Sequence, residues 1–453
     1  METNIQIKNT VQHFSDLYNE KLSQFHNIPE FLKTVHNKGI NEFKRLGFPE
    51  KKSEKYKYTH LEPFFAKDFK HCLIPENFNF EVDEIFKCDV TNIDTSVVLL
   101  VNGFHYHKNQ ALEDMPRGVW IGSIANAAFQ KPEILKKYLG KLNTYEEGLV
   151  SLNTAFFQDG IIVYVPKNIR IEKPLQIINV LLSDNDLLIQ QRNLVVLEEN
   201  SYANLVFCDH TLSDKKFLSN SVTEINIAKG AQLSQTYIQN EHNDAIKVNS
   251  IFIRQEQDSK VISNTITLHG GLVRNNMNVL LDGTGAENNT SGLFLTDKTQ
   301  HVDNYVFIDH AKPHCTSNQL FKGVLDDSST GSFNGKVLVS RDAQKTMAYQ
   351  KNSNLLLTAN AKMNTRPQLE IYADDVKCSH GATVGQLDQE ALFYMRTRGI
   401  SKEEARLLLM YAFAHEIVDQ IQVPILKERL IDLVNLRLRG ELTRCQNCAI
   451  HCC

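Results

Sequence analysis

The sequence lacks three features that would point to particular classes of protein. Its formal net charge is only −4 over 453 residues, so it has no basic excess of the kind that binds nucleic acids or anionic membranes. No apolar run approaches the ~20 residues that cross a bilayer. The first residues, Met1 to Gln6, also lack the pattern of a signal peptide. We therefore expect a soluble, cytoplasmic protein with no nucleic-acid or membrane partner.

The cysteines do not form the pattern of a secreted disulfide framework. There are nine, an odd number, and five are scattered singly: Cys72, Cys88, Cys208, Cys315 and Cys378. Small disulfide-rich proteins usually carry an even number at close spacings, so reduced thiols are expected here. Cys72, Cys88 and Cys208 lie among apolar residues, where a cysteine usually acts as a small buried hydrophobe.

A long central region is rich in short candidate strands. The chain exceeds the usual size of one domain, which predicts two or three. From Gly160 to Ala373, β-branched runs alternate with Asn, Asp, Gly and Ser, a pattern typical of many short strands. The strands are too many for one sandwich, and no propeller signature recurs at ~40 residues. A β-helix of stacked coils is compatible, although the pattern alone separates these architectures poorly.

The region after Gln386 changes to helical periodicity. Asp388 is suited to cap a helix that runs through Arg398 and stops at Gly399. Ser401 begins a capping box for the next helix, which we expect Pro424 to end. A further amphipathic helix should close at Gly440.

A thiol and an imidazole form the most informative local feature. The run from Gln368 to Ala373 alternates polar and apolar residues, so we place Cys378 and His380 at the end of a strand. The side-chain period of a strand is two, which puts both on one face. Imidazole is mostly neutral near pH 7 and can bind iron, and Lys377 would favour a partly ionised Cys378 that ligates iron or holds a persulfide.

The pair alone is a weak metal signal because iron–sulfur clusters and structural zinc sites usually need four ligands. On a strand, Asp374 would lie on the same face as Cys378 and His380, whereas Asp375 would lie on the opposite face. An incomplete set of ligands would have to be completed by a second chain.

Two other groups of soft ligands stand apart from this pair. The C-terminal tail contains Cys445, Cys448, His451, Cys452 and Cys453, a composition typical of metal binding. His310, His314 and Cys315 surround a proline and would form either a metal loop or a polar corner of a β-helix, of which we favour the corner.

The stretch from Gln368 to Ile400 also resembles a known family. Its Ala373-to-Gly385 run, its Leu392-Phe393-Tyr394 and its Arg396-Thr397-Arg398-Gly399-Ile400 are similar to the C-terminal signature of the SufD branch of the SufB/SufD family. These proteins are scaffold subunits of the SUF iron–sulfur cluster assembly system. The SufB branch usually shows Glu-His-Glu where Cys378-Ser379-His380 stand here.

The resemblance implies a mainly β fold, with a right-handed parallel β-helix core flanked by α-helical domains. It predicts an N-terminal helical domain over residues 1–100 and a β-helix core with its lead-in segment over 101–385. A C-terminal helical domain over 386–444 would dock the ATPase SufC, and 445–453 would form the Cys-rich tail.

The resemblance further implies a non-catalytic scaffold. A transient iron–sulfur cluster would form where this chain pairs with SufB, with His380 and Cys378 as metal ligands, and a homodimer would be an alternative pairing. The glycine-rich run at 331–335 lacks a following Lys-Ser/Thr, so the chain has no phosphate loop and should bind no nucleotide.

Two alternatives from other classes remain open at this point. A β-helical carbohydrate-active enzyme would use Asp374 and Asp375 as its paired carboxylates. A zinc-dependent binding module would be centred on Cys445, Cys448, Cys452 and Cys453.

Overall fold

The structure is a computed structural model that describes residues 2–21, 28–75, 94–106, 115–142 and 147–442. Two parallel sheets form its centre, and helices lie before and after them in the chain. The Cys-rich tail and Cys88 lie outside the described residues. No helix in the described part is both long enough and apolar enough to span a bilayer.

The helices fall into two groups. Those before the centre of the fold are α1 (Glu2–Lys21), α2 (Glu30–Leu46), α3 (Glu62–Phe65), α4 (Ile124–Gln130), α5 (Pro132–Tyr138) and α6 (Gly148–Phe156). Those after it are α7 (Gln389–Thr397), α8 (Lys402–Val418) and α9 (Pro424–Arg439).

The strands alternate between two sheets along the chain. Sheet I contains β4 (Trp120–Ser123), β5 (Ile161–Val165), β7 (Leu187–Leu197), β9 (Phe217–Ile227), β11 (Ile246–Gln255), β13 (Leu272–Leu281), β15 (His301–His310), β17 (Thr330–Val339) and β19 (Lys362–Ile371), with β1 (Lys70–His71) beside β7. Sheet II contains β3 (Phe104–His105), β2 (Ser96–Val101), β6 (Leu175–Leu181), β8 (Tyr202–Thr211), β10 (Gln232–Asn240), β12 (Lys260–His269), β14 (Glu287–Thr296), β16 (Thr316–Leu325), β18 (Met347–Leu356) and β20 (Lys377–Gly385).

This order makes a parallel β-solenoid of about 7 turns, in which each turn gives one strand to each sheet. Leu272 pairs with His301, and His301 pairs with Thr330, so the same strand position returns 29 residues later in the chain. Alternate residues face inward, where apolar side chains such as Ile308 and Phe333 form a buried core between the sheets. The predicted β-helix is confirmed.

The C-terminal helices begin and end largely where the sequence predicts. The Asp388 carboxylate accepts hydrogen bonds from the backbone N–H groups of Glu390 and Ala391, at 2.9 and 3.1 Å, and caps α7. Ser401 caps α8, and Gly440 closes α9 in the left-handed conformation. The prediction that Pro424 ends α8 is wrong, because α8 stops at Val418 and Pro424 is the first residue of α9. Proline suits the first position of a helix because the N–H that it lacks would have no acceptor within the helix there.

Helices α8 and α9 cover the outer face of sheet II. Leu293 and Val324 of the sheet share a buried apolar cluster with Met410 of α8 and Leu433 of α9. Arg437 of α9 reaches over the sheet and donates hydrogen bonds to backbone and side-chain acceptors there. The helices are therefore fixed to the solenoid by both apolar and charged contacts.

A buried ion pair attaches an N-terminal segment to the outer face of sheet I. Arg274 and Asp303 lie side by side on β13 and β15 and are both fully buried. Arg274 also donates to the backbone carbonyl of Lys55 at 2.8 Å and lies over the Tyr56 ring, 4.5 Å from its centre. Thr59 donates to the Asp303 carboxylate. The segment from Lys55 to Thr59 therefore excludes water from this pair.

We expect Asp303→Leu to lower the free energy of unfolding by about 3–5 kcal/mol, because it leaves the Arg274 guanidinium buried without its counter-charge. Urea unfolding followed by circular dichroism measures the loss. The double variant Arg274→Met with Asp303→Leu is the control and should lose less, since neither charge then remains. A double variant less stable than Asp303→Leu alone would contradict this account.

Candidate functional site

Cys378 and His380 are the second and fourth residues of β20, the last strand of sheet II in the described chain. The expectation that they end the strand of residues 368–373 is wrong. Strand β19 stops at Ile371, a turn follows, and Cys378 begins the next strand. A corner of the solenoid follows β19, and there the backbone N–H of Asp375 donates to the Gln344 side chain, at 2.9 Å, and not to a neighbouring strand. The alternation of polar and apolar residues therefore does not continue to Cys378. As residues i and i+2 of one strand, the pair still shares a face.

The register with β18 shows which face this is. Cys378 pairs with Ala348 and His380 pairs with Gln350, and both β18 residues are buried inside the solenoid. Cys378 is half-buried, whereas His380 is exposed because no described coil covers it. The thiol and the imidazole therefore lie over the inner columns of the solenoid, at its open C-terminal end.

The environment of Cys378 is apolar. It packs against a cluster that includes Val337, Val339 and Ala348. Burial raises the pKa of the Cys378 thiol, and a hydrogen bond from the backbone of Ala348 only partly opposes this. The expectation of a partly ionised thiol beside Lys377 is therefore wrong. In a strand the side chains of neighbouring residues point to opposite faces, so the exposed Lys377 does not share the face of the thiol.

The two neighbouring aspartates lie in the turn between β19 and β20, not on a strand. Asp375 forms an ion pair with Lys345 at the surface. The alternation that would place Asp374 on the face of Cys378 therefore does not apply. Both carboxylates are exposed at the surface.

The segment around His310 forms a corner of the solenoid, as predicted. His310 ends β15, its Nε2 lies 2.8 Å from the Ser317 hydroxyl, and burial lowers the pKa of its imidazole to about 4. Cys315 donates its S–H to the carbonyl of Gly283 at 3.2 Å. Its neighbour His314 stands in the turn with a φ of 60°. Throughout the described ranges, no three His, Cys, Asp or Glu side chains are grouped to hold a metal.

The two remaining described cysteines lie in apolar surroundings. Cys208 is buried in an apolar cluster, as predicted, and Cys72 is half-buried at the edge of another.

A line of polar side chains inside the solenoid was not predicted from the sequence. We call it the inner polar column, and its members occupy successive strands of sheet II in register: Gln235, Ser263, Thr290, Gln319 and Gln350. All are buried, and His380 stands beside Gln350 in the next strand. The signal that would have found the column is the return of a polar residue once in each coil, which becomes visible only when the register is known.

Together, the fold and this open end define a β-solenoid protein whose last strand presents a thiol and an imidazole. Comparisons with known proteins are consistent with the resemblance described above. The family profile "SufBD protein N-terminal region" matches residues 8–177, and "SUF system FeS cluster assembly, SufBD core domain" matches residues 180–413. The chain belongs to the SufBD family of the SUF system for iron–sulfur cluster assembly.

Individual relatives match over most of their length. The chain is 31% identical to an iron–sulfur cluster assembly SufBD family protein of Synechocystis, over 86% of this chain and 88% of the relative. It is 28% identical to the iron–sulfur cluster assembly protein SufD of Escherichia coli, over 88% and 92%. It is 26% identical to SufD of Bacillus subtilis, over 93% and 97%.

We expect the alkylation of Cys378 by iodoacetamide to follow a pH curve whose midpoint lies above that of an unstructured cysteine peptide. A raised pKa leaves a smaller fraction of thiolate, the reactive form, at any pH below it. Mass spectrometry of the Cys378 peptide between pH 6 and pH 10 gives the midpoint, which does not depend on how accessible the sulfur is. Cys378→Ser assigns the signal, and a midpoint below that of the peptide would contradict the raised pKa.

Proposed function

We propose that this chain is a non-catalytic scaffold on which an iron–sulfur cluster forms in contact with a second β-solenoid subunit. Membership of the SufBD family gives the system in which it acts. The observation that carries the proposal is the exposed imidazole of His380 beside the unpaired edge of the last described strand. A paralogue of the SufB type is the partner that we propose, and a second copy of this chain is the alternative. The cytoplasm is the compartment that we propose.

The edge of β20 offers backbone groups for such a partner. Lys377 donates its N–H to Thr346 at 2.8 Å, on the side of β18. Because neighbouring residues of a strand point their N–H groups to opposite sides, those of Cys378, His380 and Ala382 turn to the free edge. An edge of this kind commonly accepts a strand from another chain.

The chemistry of the two side chains suits iron or sulfide in transit. His380 supplies an imidazole nitrogen and is the first ligand in our proposal. Cys378 is the second, since its thiol must release a proton before the sulfur can bind iron. Two ligands do not complete the four of a usual cluster site, so the partner subunit would supply the others. The growing cluster is the cargo of the scaffold.

The C-terminal helices supply a surface for a second partner, the ATPase SufC. On α7, Phe393 and Tyr394 are 69% and 60% exposed, an unusual position for two neighbouring aromatic side chains. Leu408 of α8 and Ile425 of α9 are also exposed. We propose residues 386–444 as the docking domain, with 101–385 as the β-helix core, 1–100 as the N-terminal domain and 445–453 as the tail. Hydrolysis of ATP would then occur in the partner.

We expect His380→Ala to abolish cluster formation while leaving the assembled complex intact, because it removes a ligand from an exposed position and no packing. The chain is co-expressed with SufB-type and SufC-type partners, and iron, sulfide and visible absorption are measured in the purified complex. His314→Asn is the matched control, since it removes another exposed imidazole where the φ of 60° suits asparagine. A normal yield of cluster in His380→Ala would refute the assigned role.

We expect Ala382→Pro to weaken pairing with the second β-solenoid subunit by about tenfold or more, a change of ~1.4 kcal/mol. Proline removes the N–H that faces the free edge and leaves the hydrogen bonds to β18 in place. Thr383→Pro is the comparison, because its N–H faces β18 and its loss should lower the melting temperature instead. Unchanged affinity of Ala382→Pro, measured by analytical ultracentrifugation, would exclude this edge from the contact.

A further inference from the structure

The inner polar column ends directly below His380. Gln319 and Gln350 are register neighbours on β16 and β18, and both are almost fully buried. The Nε2 group of Gln350 donates a hydrogen bond to Oε1 of Gln319 at 2.8 Å. The bond runs along the axis of the solenoid, in the way that stacked amides of in-register parallel strands bond to one another.

The residue that faces this amide in the same coil is a glycine, which leaves space for it. Gly335 on β17 faces Gln350 across the interior, and a Cβ atom on Gly335 would lie only 2.3 Å from Nε2 of Gln350. A side chain at position 335 would therefore push the amide out of its place. Because residue 335 has no side chain, the interior has room for the Gln350 amide at this place.

The carbonyl of the same amide has no such partner. Oε1 of Gln350 is buried and accepts no hydrogen bond from the described residues. Because Nε2 is directed to the coil of Gln319, Oε1 is turned toward the following coil, where His380 occupies the paired position. Oε1 has no partner in the described conformation. Neighbouring strands are about 4.8 Å apart, so a rotation of the exposed His380 side chain would bring an imidazole N–H toward this oxygen.

We propose that Gln350 is the positioning residue of His380. One ring nitrogen of His380 donates its proton to Oε1 of Gln350, and the lone pair of the other nitrogen then faces the open end of the solenoid. Histidines that bind metals usually donate their second nitrogen to a carbonyl or carboxylate in this way, which fixes the tautomer and the orientation of the ring. The inference rests on the proposed function for the identity of the ligand, but the hydrogen bond itself does not.

The column explains why the amide can hold this direction. Its Nε2 is already bound to Gln319, and rotation of the amide would break that bond inside the core. A hydroxyl would not reach the imidazole from position 350, and an aliphatic side chain would offer no acceptor. A glutamine at position 350 is therefore suited to hold the exposed ring of His380 in one orientation, because its own amide is fixed inside the core.

The test uses the full chain with isotope-labelled histidine. Nitrogen chemical shifts near pH 8 report which ring nitrogen of His380 carries the proton, and His380→Ala identifies its signals. In the unaltered chain one tautomer should dominate. Gln350→Leu should give the tautomer mixture of a free imidazole. Gln350→Glu keeps an acceptor, and the Gln319 amide, whose Nε2 is buried without a partner, can turn to donate to it, so this variant should retain the ordered form.

Gln235→Leu is the matched control. It removes a buried amide of the same column, one that bonds to Ser263 at 3.0 Å and lies several coils from His380. Its His380 signals should not change. If Gln350→Leu failed to fold, as judged by its melting curve, Gln350→Glu and Gln235→Leu would still decide, since a free-imidazole mixture in Gln350→Glu or a change in Gln235→Leu would overturn the proposal.

A second measurement uses the co-expressed complex. Gln350→Leu should retain about 10-fold less iron than the unaltered complex, the lower end of the effect of removing such a partner from a metal-binding histidine. The inference and the proposed scaffold function can fail separately. If Gln350→Leu left both the tautomer of His380 and the iron content unchanged, this inference would be wrong and the scaffold role would stand. If His380→Ala still formed a full cluster, the scaffold role would be wrong, and the tautomer measurement would still test the hydrogen bond.

Discussion

In-register parallel stacking is the constraint on which the rest of the structure depends. The strands inside the stack bond to the coils on either side, so the same position in each coil forms a continuous column. A column can be apolar, as along Ile308 and Val337, or polar, as along Gln319 and Gln350. Among the described residues, the last coil has one edge without a neighbouring strand and one set of inner side chains that no further coil covers. The site follows from this geometry.

A second buried ion pair holds another segment of the chain against sheet I. Arg192 and Glu224 form a fully buried pair on sheet I, and Glu224 also accepts the backbone N–H groups of Gly140 and Leu142. Such a pair is stable only where other groups complete its hydrogen bonds. The segment after α5 is therefore fixed where Glu224 accepts its N–H groups, and the open end at β20 remains uncovered by described residues.

Local patterns predicted much of the fold, and long-range contacts decided the rest. Strand β5 lies in the region where the sequence predicts short strands, and the caps at Asp388 and Ser401 lie where expected, because both features depend on neighbouring residues. Helix α6 was not predicted, since its residues are buried on nearly every side and show no amphipathic period. The thiol of Cys378 was assigned from Lys377 alone, whereas residues one coil away determine its burial.

The free edge of β20 and the exposure of the His380 imidazole are two consequences of one structural fact. A strand that ends a stack exposes hydrogen-bonding groups that favour association, a hazard that proteins usually limit. Here the exposed strand also presents the thiol of Cys378, whose pKa burial already raises, and the imidazole of His380. A surface that covered this edge would bring both side chains into a drier environment, where hydrogen bonds are electrostatically stronger because the local dielectric is lower.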